Sequence, residues 1–326
     1  MDQASLGRRA EQTIAVGSKS FASAARLFRP AMRRDVMLLY TWCRHCDDVT
    51  DGQQLGHGRG LPAEPKALAA LKQNSLDALA GQPLADLAWQ ALAEVGRRHD
   101  LSPALIEDHL KGFELDAHGW RPDTFEQTLE YCYFVAGAVG IMMARIMAVR
   151  DHDTLLRACD LGMGFQLTNI ARDIVEDARV GRCYLPGQWL DQAGLTVDEL
   201  ARTDRQPAVY PLACHLVAAA EPYYRSADVG IVALPARAGW AIATASDVYR
   251  DIGRTIASAG PQVLGRRVST ARSKKLWRIM TGAGQILAAR FRRTPDFSRT
   301  GLWTPDAERS TTNGRGAGAS RDHATA

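Results

Sequence analysis

Apolar positions along this chain recur at intervals of three and four, the spacing of one helix face, while stretches that alternate with period two are nearly absent. The pattern predicts helices over Arg8–Arg26, Ala31–Asp51, Pro65–Leu79, Pro83–His99, Pro103–Ala117, Thr124–Val149 and Asp153–Ala178. Further helices are expected over Gln188–Ala201, Gln206–Gly230, Ala236–Ala259 and Ser269–Arg293. Breaker-rich segments separate them: DGQQLGHGRGLPAEP from Asp51, GWRPD before Thr124, VGRCYLPG after Asp177 and AGPQVLG near Gly260. Asp123 followed three residues later by Glu126 reads as a capping signal for the helix at Thr124. From Thr304 onward large apolar residues almost vanish, so residues 304–326 are expected to be a disordered tail. With no fixed repeat and no long polar linker, the expected fold is all-α: a single-domain helical bundle, residues 1–303, around a central cavity.

Two of these helices break their own pattern. At the end of the apolar run VMLLYTW, the segment CRHCDDVTDG sets Asp47, Asp48 and Asp51 close together, with Asp47 and Asp51 stacked four apart. In GFQLTNIARDIVEDARVGRCYLP, residues Gln166, Asn169, Asp173 and Asp177 share one helix face, with Glu176 beside its end. Like charges at this spacing repel by about 0.2–0.5 kcal/mol per pair when exposed. Partial burial raises the cost to several kcal/mol per unpaired carboxylate. Two solvated helix faces would account for either cluster alone. The pair together, on otherwise apolar helices, fits carboxylates and an Asn carbonyl gathered to bind Mg²⁺ and a diphosphate between them.

Composition narrows the classes. At 326 residues, with 46% hydrophobic and 23% charged residues, the chain is long enough to enclose a deep cavity and has the make-up of a soluble globular protein. A net charge of +4 without lysine-rich blocks argues against a nucleic-acid partner. No apolar run reaches the roughly 18–20 residues that cross a bilayer, and the N-terminus lacks a signal-type apolar region. Six scattered cysteines do not form a secreted disulfide framework, so a cytoplasmic location is expected. The lone CxxC at Cys43 and Cys46 lacks a second ligand pair for zinc, and His45 between them reads as a surface or packing residue. GMG at Gly162–Gly164 follows no strand and is no dinucleotide fingerprint.

Five segments together resemble the squalene/phytoene synthase family, the head-to-head isoprenoid synthases: GSKSF (Gly17–Phe21), LYTWCRHCDDVTD (Leu39–Asp51), YCYFVAGAVG (Tyr131–Gly140), FQLTNIARDIVEDARVGRCYLP (Phe165–Pro186) and YRDIG (Tyr249–Gly253). They follow family order over nearly the whole chain apart from the tail, and the phrasing is nearest to bacterial phytoene-forming members. The resemblance implies a prenyltransferase that joins two prenyl diphosphates through a cyclopropyl intermediate, in such members two geranylgeranyl diphosphates giving phytoene. It implies Mg²⁺ or Mn²⁺ held by Asp47 and Asp51 on one side and by Asn169, Asp173 and Asp177 on the other. Asp48 is the weaker candidate. Arg44, Arg172 and Gln166 are implied in diphosphate binding, as are Ser18, Ser20 and Phe21, which without the resemblance read as a helix cap and a core aromatic. A late basic segment, Arg267, Arg272, Lys274 and Lys275, reads equally well as a solvated charge run.

A carbocation needs a water-free pocket and is stabilised by aromatic faces. Tyr131, Tyr133, Phe134, Phe165 and Tyr249 are the candidates, and the resemblance favours Tyr131 and Tyr249 as catalytic. Gly137 and Gly140 inside a helix point either to close helix packing or to room for a polyprenyl tail, which Val135 and Val139 would line. The proton-accepting base stays open between the leaving diphosphate and a tyrosine. No NADPH is expected, and a dependence on ATP is not legible. The C15 reaction to dehydrosqualene or squalene is the nearest rival, and a non-catalytic isoprenoid-binding bundle is the rival of another class. An oily product implies peripheral contact with the inner face of the cell membrane and association with other carotenoid-pathway enzymes.

Overall fold

A computed structural model of the protein describes residues 27–51, 65–265 and 297–305. Ser18, Ser20, Phe21, the late basic segment and the two terminal predicted helices lie outside them. Among the described residues the chain forms helices and turns, with no strand. In chain order they are α1 (Pro30–Asp51), α2 (Pro65–Leu79), α3 (Leu87–His99), α4 (Pro103–Ala117) and α5 (Phe125–Cys132). A π-helical turn (Tyr133–Gly137) then leads into α6 (Ala138–Ile146). After it come α7 (His152–Arg179), α8 (Gly187–Ala193), α9 (Gln206–Ala233) and α10 (Ala236–Ala259).

Local chemistry sets most boundaries. Asp86, Ser102, Thr124 and Asp151 cap α3, α4, α5 and α7 by accepting a backbone N–H with their side chains. The α5 cap differs from the sequence expectation by one residue. Thr124 and Gln127 form the reciprocal box, not Asp123 and Glu126. The helix expected over Gln188–Ala201 stops at Ala193 because Gly194 takes the left-handed conformation (φ 60°), and short 3₁₀ turns follow.

Helix α7 is the spine. It packs against α9, α6, the π turn and α10, while α1 packs against α3, α4 and α2. Buried residues from all of these helices form one continuous cluster. The approach of α7 to the π turn and α6 is close enough to demand glycine on both sides. A Cβ on Gly140 would stand 2.3 Å from the Ala158 carbonyl oxygen, and one on Gly162 would stand 2.2 Å from that of Ala136. Gly137 likewise faces Cys159 and Tyr133, so both glycines of VAGAVG serve helix packing and not a tail channel.

The stretch Phe125–Ile146 is long and apolar enough on average to cross a membrane, contrary to the expectation from uninterrupted runs. A window average tolerates the Glu126 and Glu130 that interrupt a strict run. Most of this stretch is buried within the protein, as a core helix pair is.

Residues 297–305 strap across the far end of α7. Arg299 donates to both carboxylate oxygens of the fully buried Asp160, at 2.7 and 2.8 Å, and Ser226 donates to the same group. Trp303 lies against Tyr133 with ring centres 5.2 Å apart, and its backbone N–H donates to the Tyr223 hydroxyl.

Two stability predictions follow from these contacts. Arg299→Ala leaves the Asp160 charge uncompensated in the core and is expected to cost on the order of 3–5 kcal/mol in denaturant unfolding. Gly140→Ala is expected to cost about 1–3 kcal/mol by overpacking the α6–α7 contact. An unfolding midpoint at the wild-type value would contradict either one.

Candidate active site

The two acidic helices line a common cavity. Asp47 and Arg44 on α1, and Gln166, Asn169, Arg172, Asp173 and Asp177 on α7, line one cavity of about 410 Å³. Helix α4 contributes His109, Phe113 and Asp116 to the same wall, and Tyr131, Val135 and Val139 come from the α5–α6 segment. Tyr40, Cys43, Ile170, Arg182 and Tyr184 complete it.

The spacing along each helix gives the cavity a direction. On α1 the lining runs from Tyr40 to Asp47, on α4 from His109 to Asp116, and on α7 from Gln166 to Asp177. Each series ends in a carboxylate near the C-terminal end of its helix, where unpaired carbonyls already make the potential negative. Tyr40 and His109 stand two turns before the carboxylates of their helices, and with Phe113, Val135 and Val139 they make a less polar part of the lining, the interior, beside this acidic mouth.

At the mouth, Arg44 donates to Asp47 at 2.9 Å and to Asp48 at 2.8 Å. Burial by itself would lower the Arg44 pKa, and the two carboxylates more than reverse this. Asp48 is held by Arg44 and is not among the residues lining the cavity. Asp51 is the last residue of α1, and its side chain lies outside the described set. On α7, Arg172 donates to Asp173 through Nε at 2.7 Å and through Nη2. Asp177 is pushed up to about 7, first by burial and then by the neighbouring Asp173 charge, with Arg182 opposing. Asn169 gives its amide N–H to Gln166 at 3.3 Å, while its Oδ1 is buried without a partner.

A second cluster was not singled out from the sequence. Asp116 accepts from the Tyr131 hydroxyl at 3.0 and 3.1 Å and from the Tyr184 hydroxyl at 2.8 Å, and the two rings stack with centres 4.6 Å apart. Burial raises the pKa of both phenols, and the Asp116 charge raises them further, so they remain donors at neutral pH.

Of the five aromatic wall candidates, only Tyr131 lines the cavity. Tyr133 is buried behind it and donates to Asp108 at 2.5 Å, and Phe134 is buried beneath the Lys111 ammonium. Successive helical residues point about 100° apart, so Tyr133, two positions on, faces away from the side that Tyr131 presents. Phe165 and Tyr249 stack on each other at 4.2 Å outside the lining, although the Tyr249 phenol lies near enough to Arg172 to influence it. Val135 and Val139 do line the cavity. His45 is a packing residue, edge-on to Trp89 at 4.8 Å.

A profile of squalene/phytoene synthases matches residues 14–274. The chain belongs to the squalene/phytoene synthase family. A phytoene synthase from Pseudescherichia vulneris is 50% identical over 93% of this chain and 99% of its own length. A 15-cis-phytoene synthase from Pantoea ananas is 48% identical over 90% of this chain and 96% of its own. A crystal structure of a dehydrosqualene synthase with a ligand superposes with a TM-score of 0.76 at 26% identity, covering 87% of this chain and 98% of the other. The fold is thus the all-α isoprenoid-synthase bundle.

Asp177 gives a pH prediction for the metal-free protein. Its folded-state pKa near 7 lies above the ordinary carboxylate value of 3.8, so the folded chain retains a proton that the unfolded chain has lost. The resulting stability is present in full below that ordinary value and is lost as pH rises through about 7. Asp177→Asn is therefore expected to raise the stability of metal-free protein at pH 8 by about 1–2 kcal/mol, after a discount for screening. At pH 4 the gain should be near zero. Equal melting shifts at both pH values would contradict this.

Proposed function

We propose that this chain condenses two geranylgeranyl diphosphates to phytoene through a cyclopropyl diphosphate intermediate, the entry reaction of carotenoid formation. The observation that carries this reading is that two acidic helix faces line the mouth of one cavity with a less polar interior. The family match and the phytoene synthases at 48–50% identity support it.

The residues at the mouth fit a divalent cation. Asp47, Asp173 and Asp177 and the unpartnered Oδ1 of Asn169 are hard oxygen donors, and α1 and α4 offset their negative ends with no base in the last turn. Among the described residues no three acidic, His or Cys groups close into a cage. That suits Mg²⁺ or Mn²⁺ shared between a few carboxylates, water and substrate phosphate. We assign Asp47, Asp51, Asn169, Asp173 and Asp177 as its holders. Bound there, the cation would neutralise charge on the departing diphosphate.

The chain's own residues do the rest. Arg44 and Arg172 hold the carboxylates in place and keep N–H groups available for diphosphate oxygens. Tyr131 and Tyr184 present stacked rings at the wall, held by Asp116, that can face a developing allylic cation without reacting with it. Phe113, Val135 and Val139 give an apolar surface to the hydrocarbon and keep water from the cation. Two diphosphates and two protons leave for each phytoene formed. No hydride enters, so NADPH is not needed. The product has no polar group, and we expect it to pass to a membrane through peripheral contact.

Incubating purified protein with C15 and C20 diphosphates and Mg²⁺, without NADPH, tests the reading by the hydrocarbons formed. Phytoene from the C20 substrate is the expected result, and dehydrosqualene alone from the C15 substrate would overturn the chain-length assignment. Asp47→Ala and Asp173→Ala are expected to lose about 10²–10³-fold in turnover with melting at or above the wild-type temperature. Wild-type turnover in either variant would remove the metal assignment.

A further inference from the structure

At the interior end of the cavity stands a histidine that the reaction as described does not use. His109 lines the cavity yet is only 3% exposed. Its Nδ1 lies 3.0 Å from the backbone carbonyl of Phe134, inside the π turn. A carbonyl only accepts, so Nδ1 carries the proton and Nε2 is left with a bare lone pair. That Nε2 is buried and has no hydrogen-bond partner. The ring is fixed by Trp42 and Phe113, whose centres lie 5.4 and 5.0 Å away. Burial lowers its pKa to about 4, so the imidazole is neutral at physiological pH.

An acceptor left unpartnered in an apolar wall is unfavourable unless something in the working cycle satisfies it. A polyprenyl substrate has no N–H or O–H along its chain to satisfy it. The one acidic hydrogen a hydrocarbon can offer is a C–H beside a cationic carbon. The mouth has few competing bases. Asp47 and Asp173 are engaged by arginines, Asp116 is engaged by two tyrosines, and those phenols are donors. Asp177, Arg182 and the leaving diphosphate also belong to the mouth. His109 precedes Asp116 by two turns of α4, about 10 Å along the axis.

We propose that His109 Nε2 is the base that accepts the last proton of the reaction. The inference rests on the condensation reading above. Until the second ionisation, the intermediate still carries a diphosphate that anchors its reacting carbons at the mouth. After that departure nothing ties the cation there, and it is neutralised at the interior end. The C–H bond next to the cationic carbon breaks, and its electron pair becomes the second bond of the new central C=C. The proton forms an N–H on Nε2, giving an imidazolium whose Nδ1–H still donates to the Phe134 carbonyl. Solvent takes that proton when product leaves.

The two half-reactions separate this role from a structural one. In His109→Phe, formation of the cyclopropyl diphosphate is expected to stay within about threefold of wild type, while phytoene falls by about 100-fold or more. C40 alcohols or isomeric alkenes should appear in its place. His109→Gln, which keeps polarity but no basic nitrogen, should behave alike and serves if the Phe variant does not fold. In His109→Ala, added imidazole should restore phytoene. Wild-type phytoene yield and isomer profile in the variants, or equal loss of both half-reactions in both, would overturn the inference alone. Wild-type protein that forms no C40 product would instead sink the condensation reading.

Discussion

Three helices deliver carboxylates to one half-buried cavity, each near its own C-terminal end, where the backbone already repels negative charge. Nothing about folding alone favours this. A surface helix ends better with Lys or Arg in its last turn, and α1 and α4 have none. Asp177 shows the strain most directly, because its proton is retained to near neutral pH rather than leave a second charge beside Asp173. The rest of the structure can be read as what keeps these groups facing one another despite that repulsion.

Two kinds of support do so. Close by, Arg44 and Arg172 each hold a carboxylate, and Tyr131 and Tyr184 satisfy Asp116 from the wall. Farther away, α7 is fixed along its length. Gly162 and Gly140 let it pack backbone to backbone against the π turn and α6, and Asp160 binds Arg299 of the strap at its other end. A helix so constrained cannot rotate to carry Asp173 and Asp177 out to solvent. Stability spent at the mouth is therefore offset by contacts that take no part in the chemistry.

How much of this could be read beforehand follows from the range of the interactions involved. Helix boundaries set by short-range chemistry were legible: Pro65–Leu79, Pro103–Ala117 and Ala236–Ala259 agree at both ends. So was the α7 stripe of Gln166, Asn169, Asp173 and Asp177, because one helix's periodicity fixes which residues share a face. Asp116, Tyr184 and His109 were not, since each becomes a site residue only by meeting other elements. His109, Phe113 and Asp116 fall on one face at four- and three-residue steps, but an amphipathic surface helix has the same pattern. The π turn was also hidden. Whether Tyr133–Gly137 closes i→i+4 or i→i+5 bonds depends on the packing of Gly137 and Tyr133, which periodicity does not encode.

That turn ties the two ends of the cavity together. It separates Tyr131, which faces the mouth, from Val135 and Val139, and it sets the Phe134 carbonyl where His109 can donate to it. Its Tyr133 is gripped from behind by Asp108 and Trp303, so the strap that locks α7 also braces the turn. The consequence is a wall with two chemical characters, in which one continuous helix turns Tyr131 to the mouth beside Tyr184 and Val135 and Val139 to the interior beside His109 of α4. Hydrogen-bonded phenols stand where charge must be held, and aliphatic surface with one bare nitrogen stands where charge must finally be lost. A regular α-helix through Tyr133–Gly137 would rotate everything after Tyr131 relative to the mouth, and the interior could not then be built from the same face.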